Sequence, residues 1–252
     1  MPNSKPAKKV WFITAACSGF GRAFANYALS RGHRVAAVTL GTEKLQDLSA
    51  KAPDRVMVLA PDITHPPDAE AAIAAALSRF GRIDVLINTA CYGGAGAPES
   101  DAEPRAQLEA NFFNAMAMTR AALPAFRSQR FGAIVNISGV WGQASLSAFS
   151  AAGKFALEGA SEALAREMAP FGVRVMIVEP GQFRTDPAAR ENGVRLGDPS
   201  KAAAAVETAL EADVTPLRLV LGGDAVDAMR NHCQTLLADL AKWEPISRAM
   251  SF

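Results

Sequence analysis

The stretch from Val10 to Gly32, VWFITAACSGFGRAFANYALSRG, decides how this chain folds. It opens with a continuous apolar run, VWFITAA, and passes through Gly19 and Gly21 into a segment where Phe20, Phe24 and Tyr27 recur at helical spacing. That order reads as strand, turn and helix, with Gly32 as the stop. Glycines at such a turn let a pyrophosphate approach the backbone, and the helix N-terminus favours its charge. A glycine pair alone would serve a tight turn equally well, so its place in the whole chain matters.

Outward from this stretch the pattern repeats. HRVAAVTL (33–40), DRVMVLAPD (54–62), IDVLINTA (83–90), GAIVNISGV (132–140) and GVRVMIVEPG (172–181) read as strands. Between them lie helical segments at TEKLQDLSAKA (42–52), PPDAEAAIAAALSRFG (66–81), 105–129 and 149–170. PSKAAAAVETALEA (199–212) reads as a further helix, LRLVLGG (217–223) as a last short strand and DAVDAMRNHCQTLLADLAKW (224–243) as a final helix. Continuous Val/Ile/Leu strands alternating with helices predict a parallel sheet covered on both faces, in a doubly wound, Rossmann-like α/β/α single domain over 1–252. The polar segment 182–198 lacks periodicity and is long enough to serve as a flexible substrate lid.

Composition excludes several classes. Half of the 252 residues are apolar, a fifth are charged and the net charge is +1, so nothing points to nucleic acid or an acidic membrane. No segment approaches the roughly 20 apolar residues of a membrane span. The lysines of KPAKKVWFITAAC before a short apolar run and a cysteine have the outline of a lipoprotein signal. Thr14 stands where a leucine would be expected, and the helical segment that follows makes the run a first strand. Cys17, Cys91 and Cys233 are widely spaced, without a metal or redox pair, which suits reduced thiols in a cytoplasm. His33, His65 and His232 are scattered without metal spacing.

With these residues in place the chain resembles the short-chain dehydrogenase/reductase family, whose first turn is T-G-x-x-x-G-x-G. The likeness runs through TAACSGFG (14–21), Asp62 and Ile63 in APDIT, NTAC (88–91) in place of N-N-A-G, and Asn111 in the long helix. It continues through IVNIS (134–138), GKFALEGASEAL with Lys154, and VEPGQFRTD (178–186). The resemblance implies NAD(P)(H) held by Thr14, Ser18, Gly19, Phe20, Gly21, Asp62, Ile63, Asn88, Ala90, Lys154, Pro180, Gly181 and Thr185. It also implies a homodimer or homotetramer, with the helices at 105–129 and 149–170 as the usual dimer face.

The likeness breaks where it bears on chemistry. Ala15 and Cys91 replace family glycines, and VTLGTEK ends the second strand with neither an acid for a ribose hydroxyl nor an arginine for a 2′-phosphate; Lys44 is the nearest charged residue. Cofactor binding is therefore open. Family members use a serine and a tyrosine to hydrogen-bond the substrate oxygen, a lysine to lower the tyrosine pKa, and an asparagine to order a water. Here Gly139 takes the serine position, leaving Ser138, Ser145 or Ser147 as stand-ins, and Ser150 takes the tyrosine position, one helical turn before Lys154. A serine hydroxyl is a much weaker acid than a phenol, and losing a general acid forfeits roughly 10²- to 10⁴-fold in rate.

The candidate catalytic residues are Lys154, Asn111, Ser150, Ser138 and Tyr92, with no metal. Trp141, Phe149, Phe155 and Phe183 are expected near the cleft by family position, though core packing explains them equally well. Three readings follow. The first is an enzyme repurposed for a non-redox isomerisation, cyclisation, elimination or addition on a small apolar carbonyl compound. The second is an NAD(P)(H)-dependent oxidoreductase with a displaced proton donor, and the third a non-catalytic partner subunit.

Overall fold

The computed structural model describes residues 8–39, 41–63, 65–89, 104–139, 148–185 and 196–250. Seven strands, β1 (Val10–Ile13), β2 (Arg34–Val38), β3 (Val56–Leu59), β4 (Val85–Asn88), β5 (Gly132–Ile137), β6 (Val173–Pro180) and β7 (Arg218–Leu221), form one parallel sheet in the order β3-β2-β1-β4-β5-β6-β7. The helices are α1 (Gly19–Ser30), α2 (Gln46–Lys51), α3 (Pro66–Phe80), α4 (Pro104–Leu108), α5 (Asn114–Gln129), α6 (Ala148–Met168), α7 (Pro199–Glu211) and α8 (Gly223–Arg248). This is the doubly wound Rossmann-like single domain that the continuous apolar strands predict.

Both faces of the sheet are covered, and the alternation along β1 shows why its four residues are all apolar. Trp11 and Ile13 enter one core with Phe24, Ala28, Val206 and Leu210, while Val10 and Phe12 enter the other with Phe80, Met118, Phe126 and Leu164. The strand order reverses between β1 and β4, so the connections from their carboxyl ends run to opposite sides and leave the crevice in which ligands bind in open α/β sheets.

Three elements differ from the sequence expectation. The long helix expected over 105–129 is α4 and α5 joined through a π-helical turn, Glu109–Phe113. The last helix runs on through Pro245 to Arg248. Within the expected lid, Phe183 bridges Gly197, and residues 186–195 lie outside the described residues. No helix among the described residues is long and apolar enough to cross a membrane.

Candidate active site

The site begins at the β1–α1 turn. Thr14 N–H donates to the Ile87 carbonyl at 3.0 Å, and its hydroxyl oxygen accepts from Thr89 N–H at 3.0 Å. The Thr89 hydroxyl returns a bond to the Thr14 carbonyl, and Ala16 N–H donates to Val38 at 2.8 Å. So fixed to β4 and β2, the chain turns through Ala15 at φ 47° and Gly19 at φ 52°, both left-handed. For alanine that conformation costs about 1–2 kcal/mol. Gly21 is needed for a different reason: a Cβ there would lie 2.4 Å from the Ala15 carbonyl oxygen. Turn and helix are thus packed backbone to backbone.

The N-terminus of α1 is left available to an anion. Ser18 makes no side-chain cap, and no acidic residue stands in the first turn. Arg22, one turn in, donates to the Lys44 carbonyl at 3.0 Å and pairs with Asp47, whose carboxyl this hydrogen bond holds below its ordinary value. Phe20 packs on Phe183 with ring centroids 5.2 Å apart, and the Thr185 side chain lies over Gly19.

The second half of the site lies at the carboxyl ends of β4 and β5. Asn111, in the π-helical turn, and Ser150 and Lys154, on one face of α6, are all buried. Gly153 explains how the elements meet, since a Cβ on it would stand 2.9 Å from the Asn111 Cβ. The π-turn adds a residue to the helix, a distortion often found at functional sites. Lys154 Nζ donates to the Ile137 carbonyl at 2.9 Å, which fixes its ammonium beside the end of β5.

Ser138 is engaged elsewhere. Its hydroxyl donates to Glu158 Oε1 at 2.5 Å, and the buried Glu158 also accepts from Arg218 at 2.8 Å. Arg218 further pairs with Glu162 and Glu179. Burial, then the Glu158 charge, push the Glu179 carboxyl above its ordinary value against the pull of Arg218. Glu158 is not among the sequence candidates, although it continues the Ser150–Lys154 face by one more helical turn; Thr89 lies within NTAC, but its bond to the Thr14 carbonyl leaves no mark in the sequence.

Of the expected cofactor residues, Thr14, Ser18, Gly19, Phe20, Gly21 and Thr185 gather at the β1–α1 turn. Pro180 ends β6, and Gly181 N–H bonds to Leu221 at 2.8 Å. Asp62 is exposed after β3, its N–H donating to Asp68, with Ile63 partly buried beside it. Asn88 commits its amide to Asn136 at 2.8 Å and Thr119 at 3.2 Å, tying β4 to β5 and α5. Phe149 is partly buried at the start of α6, and Phe155 is half exposed. Ala90, Cys91, Tyr92, Trp141, Ser145 and Ser147 lie outside the described residues. No metal-binding cluster occurs among the described residues.

A cavity of about 820 Å³ borders the turn, lined by Ser18, Gly19 and Arg22 on one side and Arg184, Thr185 and Asp198 on the other. Asn111, Ser150 and Lys154 do not line it, so it extends from the β1–α1 turn rather than from α6.

The amino edge of the sheet holds a different polar cluster. His33 accepts from Lys9 N–H through Nδ1 at 3.0 Å, so its Nε2–H donates to Glu207 at 2.7 Å. Tyr27 and Arg31 also donate to Glu207. Burial raises the Glu207 carboxyl, but the bonds from His33 and Tyr27 and the Lys9 charge outweigh it and hold the group below its ordinary value. Desolvation and the Glu207 bond push the Tyr27 phenol up to about 12.

Comparison with known proteins agrees with this geometry. The short chain dehydrogenase family model matches residues 9–193. An oxidoreductase of Botryotinia fuckeliana, BOA17, is 34% identical over 96% of this chain and 98% of its own. A 3-ketodihydrosphingosine reductase of Bacteroides thetaiotaomicron is 38% identical over 70% of this chain and 65% of its own. Among solved structures, a short-chain dehydrogenase from Streptomyces avermitilis superposes with a TM-score of 0.89 at 40% identity, covering 98% of this chain and 100% of its own. A Burkholderia cenocepacia short chain dehydrogenase in complex with NADP superposes with a TM-score of 0.79 at 29% identity, covering 93% and 97%. The chain belongs to the short-chain dehydrogenase family, whose relatives here are named oxidoreductases.

Proposed function

We propose that the chain is an NAD(P)(H)-dependent oxidoreductase acting on a small apolar ketone or alcohol, with its proton donor displaced from the usual tyrosine position. The observation that carries this reading is the β1–α1 turn, which stays left-handed at residue 15 although alanine stands there. It leads into a helix N-terminus without a side-chain cap or an acidic residue in its first turn. Those features fit a pyrophosphate at Ser18–Gly21, with Thr185 above it and Lys154 toward the ribose. The NADP bound by the Burkholderia relative supports the same assignment.

A bound nicotinamide would supply or accept the hydride. The protein's own part is to hold the carbonyl oxygen and the proton. Lys154, anchored on the Ile137 carbonyl, brings positive charge toward the oxygen that becomes an alkoxide. Asn111, whose Cβ lies against Gly153 of α6, would hold a water or the substrate. Ser150 presents a hydroxyl on the lysine face but is too weak an acid to replace a phenol, which makes Tyr92 the other candidate donor. Deuteride from 4-deuterated NAD(P)H should appear in the alcohol formed from a panel of apolar ketones, with Lys154→Met and Tyr92→Phe each slowing the transfer. No label in any product, with cofactor bound, would sink the redox reading.

One observation favours a second reading. Ser150 stands four residues before Lys154 and is almost wholly buried, so the face that normally carries a phenol carries a short hydroxyl. The same face then suits a non-redox isomerisation, cyclisation, elimination or addition, in which Lys154 and Asn111 polarise a carbonyl. Conversion of such a compound without nicotinamide, abolished by Lys154→Met, would support it.

A further inference from the structure

We infer that α8 is a self-association element, pairing antiparallel with α8 of a second copy of this chain about a two-fold axis. This does not rest on the chemistry proposed above. Beyond Ala225, which is fully buried, α8 makes its contacts with β7 and then runs on with almost every residue exposed. Leu236, Leu237, Leu240, Trp243, Ile246 and Met250 are each more than half exposed. Apolar side chains at this density on one helix mark a surface that is covered in use.

Their spacing points to a helix as the occupant. Val226, Met229, Cys233, Leu236, Leu240, Trp243, Ser247 and Met250 follow one another at alternating intervals of three and four, the seam of a two-stranded coiled coil. Leu237 and Ile246 flank it. Pro245 falls at the position farthest from the seam, where its ring meets solvent in a pair as it does in one copy.

Area and charge favour a second copy. A buried Leu, Ile or Met contributes on the order of 60–120 Å², so this stripe offers roughly 600–800 Å² per copy, against about 800 Å² per partner in an ordinary stable interface. In the antiparallel register that sets Leu236 against Leu240 of the second copy, Cys233 meets Trp243, Met229 meets Ser247, and Val226 meets Met250. The same register brings Arg230 beside Glu244 twice, once on each side of the axis. Asp239 meets its own symmetry mate on the other flank, with Lys242 one turn away. The described helix carries four acidic and three basic residues, Asp224, Asp227, Asp239 and Glu244 against Arg230, Lys242 and Arg248, and lacks the cationic face that an anionic lipid surface selects.

Sedimentation velocity of the full chain across low to high micromolar concentration tests this, with Leu236→Asp/Leu240→Asp as the disrupting variant. Because both leucines are exposed in one copy, that variant should keep a cooperative thermal transition, lowered only by the loss of association. Its association constant should fall at least about 100-fold, halving the mass of the species the parent forms. Arg230→Glu and Glu244→Arg should each weaken association several-fold, and combining them should restore it. The proposal is overturned if the parent is monomeric throughout, if the leucine variant associates like the parent, or if the double charge reversal fails to recover. It is equally overturned if α8 draws a monomeric protein onto phosphatidylserine vesicles.

Discussion

Set against the family pattern that the sequence resembles, the β1–α1 turn and the α6 face each differ by a single residue, and the two differences are unlike in kind. At Ala15 the lost feature is a backbone freedom. The turn keeps its left-handed form because Thr14, Thr89 and Ala16 pin it to two strands, so the alanine costs strain and leaves the shape. At Ser150, which the family resemblance sets at the tyrosine position, the implied difference is a chemical group. Burial and a correct place on the Lys154 face cannot give a serine the acidity of a phenol. A site made of main-chain geometry absorbs a methyl group, whereas a site made of one side chain's proton does not.

This contrast can be broken in several ways. Its chemical half is tested by Ser150→Tyr, which should raise ketone reduction roughly 100-fold or more, measured as cofactor oxidation, at a stability cost of about 1–3 kcal/mol for fitting a phenol at a buried position. An unchanged rate with intact cofactor binding would mean that another residue already donates the proton. Gly21→Val attacks the backbone half: with its Cβ 2.4 Å from the Ala15 carbonyl, it should weaken NADP(H) binding about 100-fold and lower stability by about 3 kcal/mol. Lys154→Met joins the two halves by removing a charge-assisted contact, and should raise the cofactor Kd by about 10-fold while leaving the fold intact.

A control outside both halves comes from Glu207. Its folded carboxyl is depressed, so the stability it contributes is present above its ordinary value of 4.5 and is lost as the pH falls below that through the lowered folded value. Thermal melts of Glu207→Gln should show less acid dependence than the parent's in that window, with cofactor affinity unchanged. The smallest effect belongs to Ala15→Gly. Relief of left-handed strain less the entropy of an added glycine should stabilise by about 0.5–1 kcal/mol, read from the urea midpoint.

Much of the fold was legible because the strands are continuous apolar runs, so covered faces on both sides could be read directly from VWFI, VLIN and VRVMIV. The β1–α1 turn was legible for the same local reason. Asn111 could be named but not its π-turn, because one extra residue in a helix leaves no mark on apolar spacing. The sequence reading ends the last helix at Trp243; α8 continues through Pro245 to Arg248, where the surrounding residues are exposed and the carbonyl that loses its donor can bond water. The Ser138–Glu158–Arg218 network joins β5, α6 and β7, which only tertiary packing brings together.

Isothermal titration of the ligand-free protein with NADP(H) and NAD(H) shows directly whether the altered turn forms a dinucleotide site. Micromolar binding of at least one of them, lost in Gly21→Val, is the expected result; absence of binding at millimolar concentrations of both would mean that the turn no longer holds a pyrophosphate.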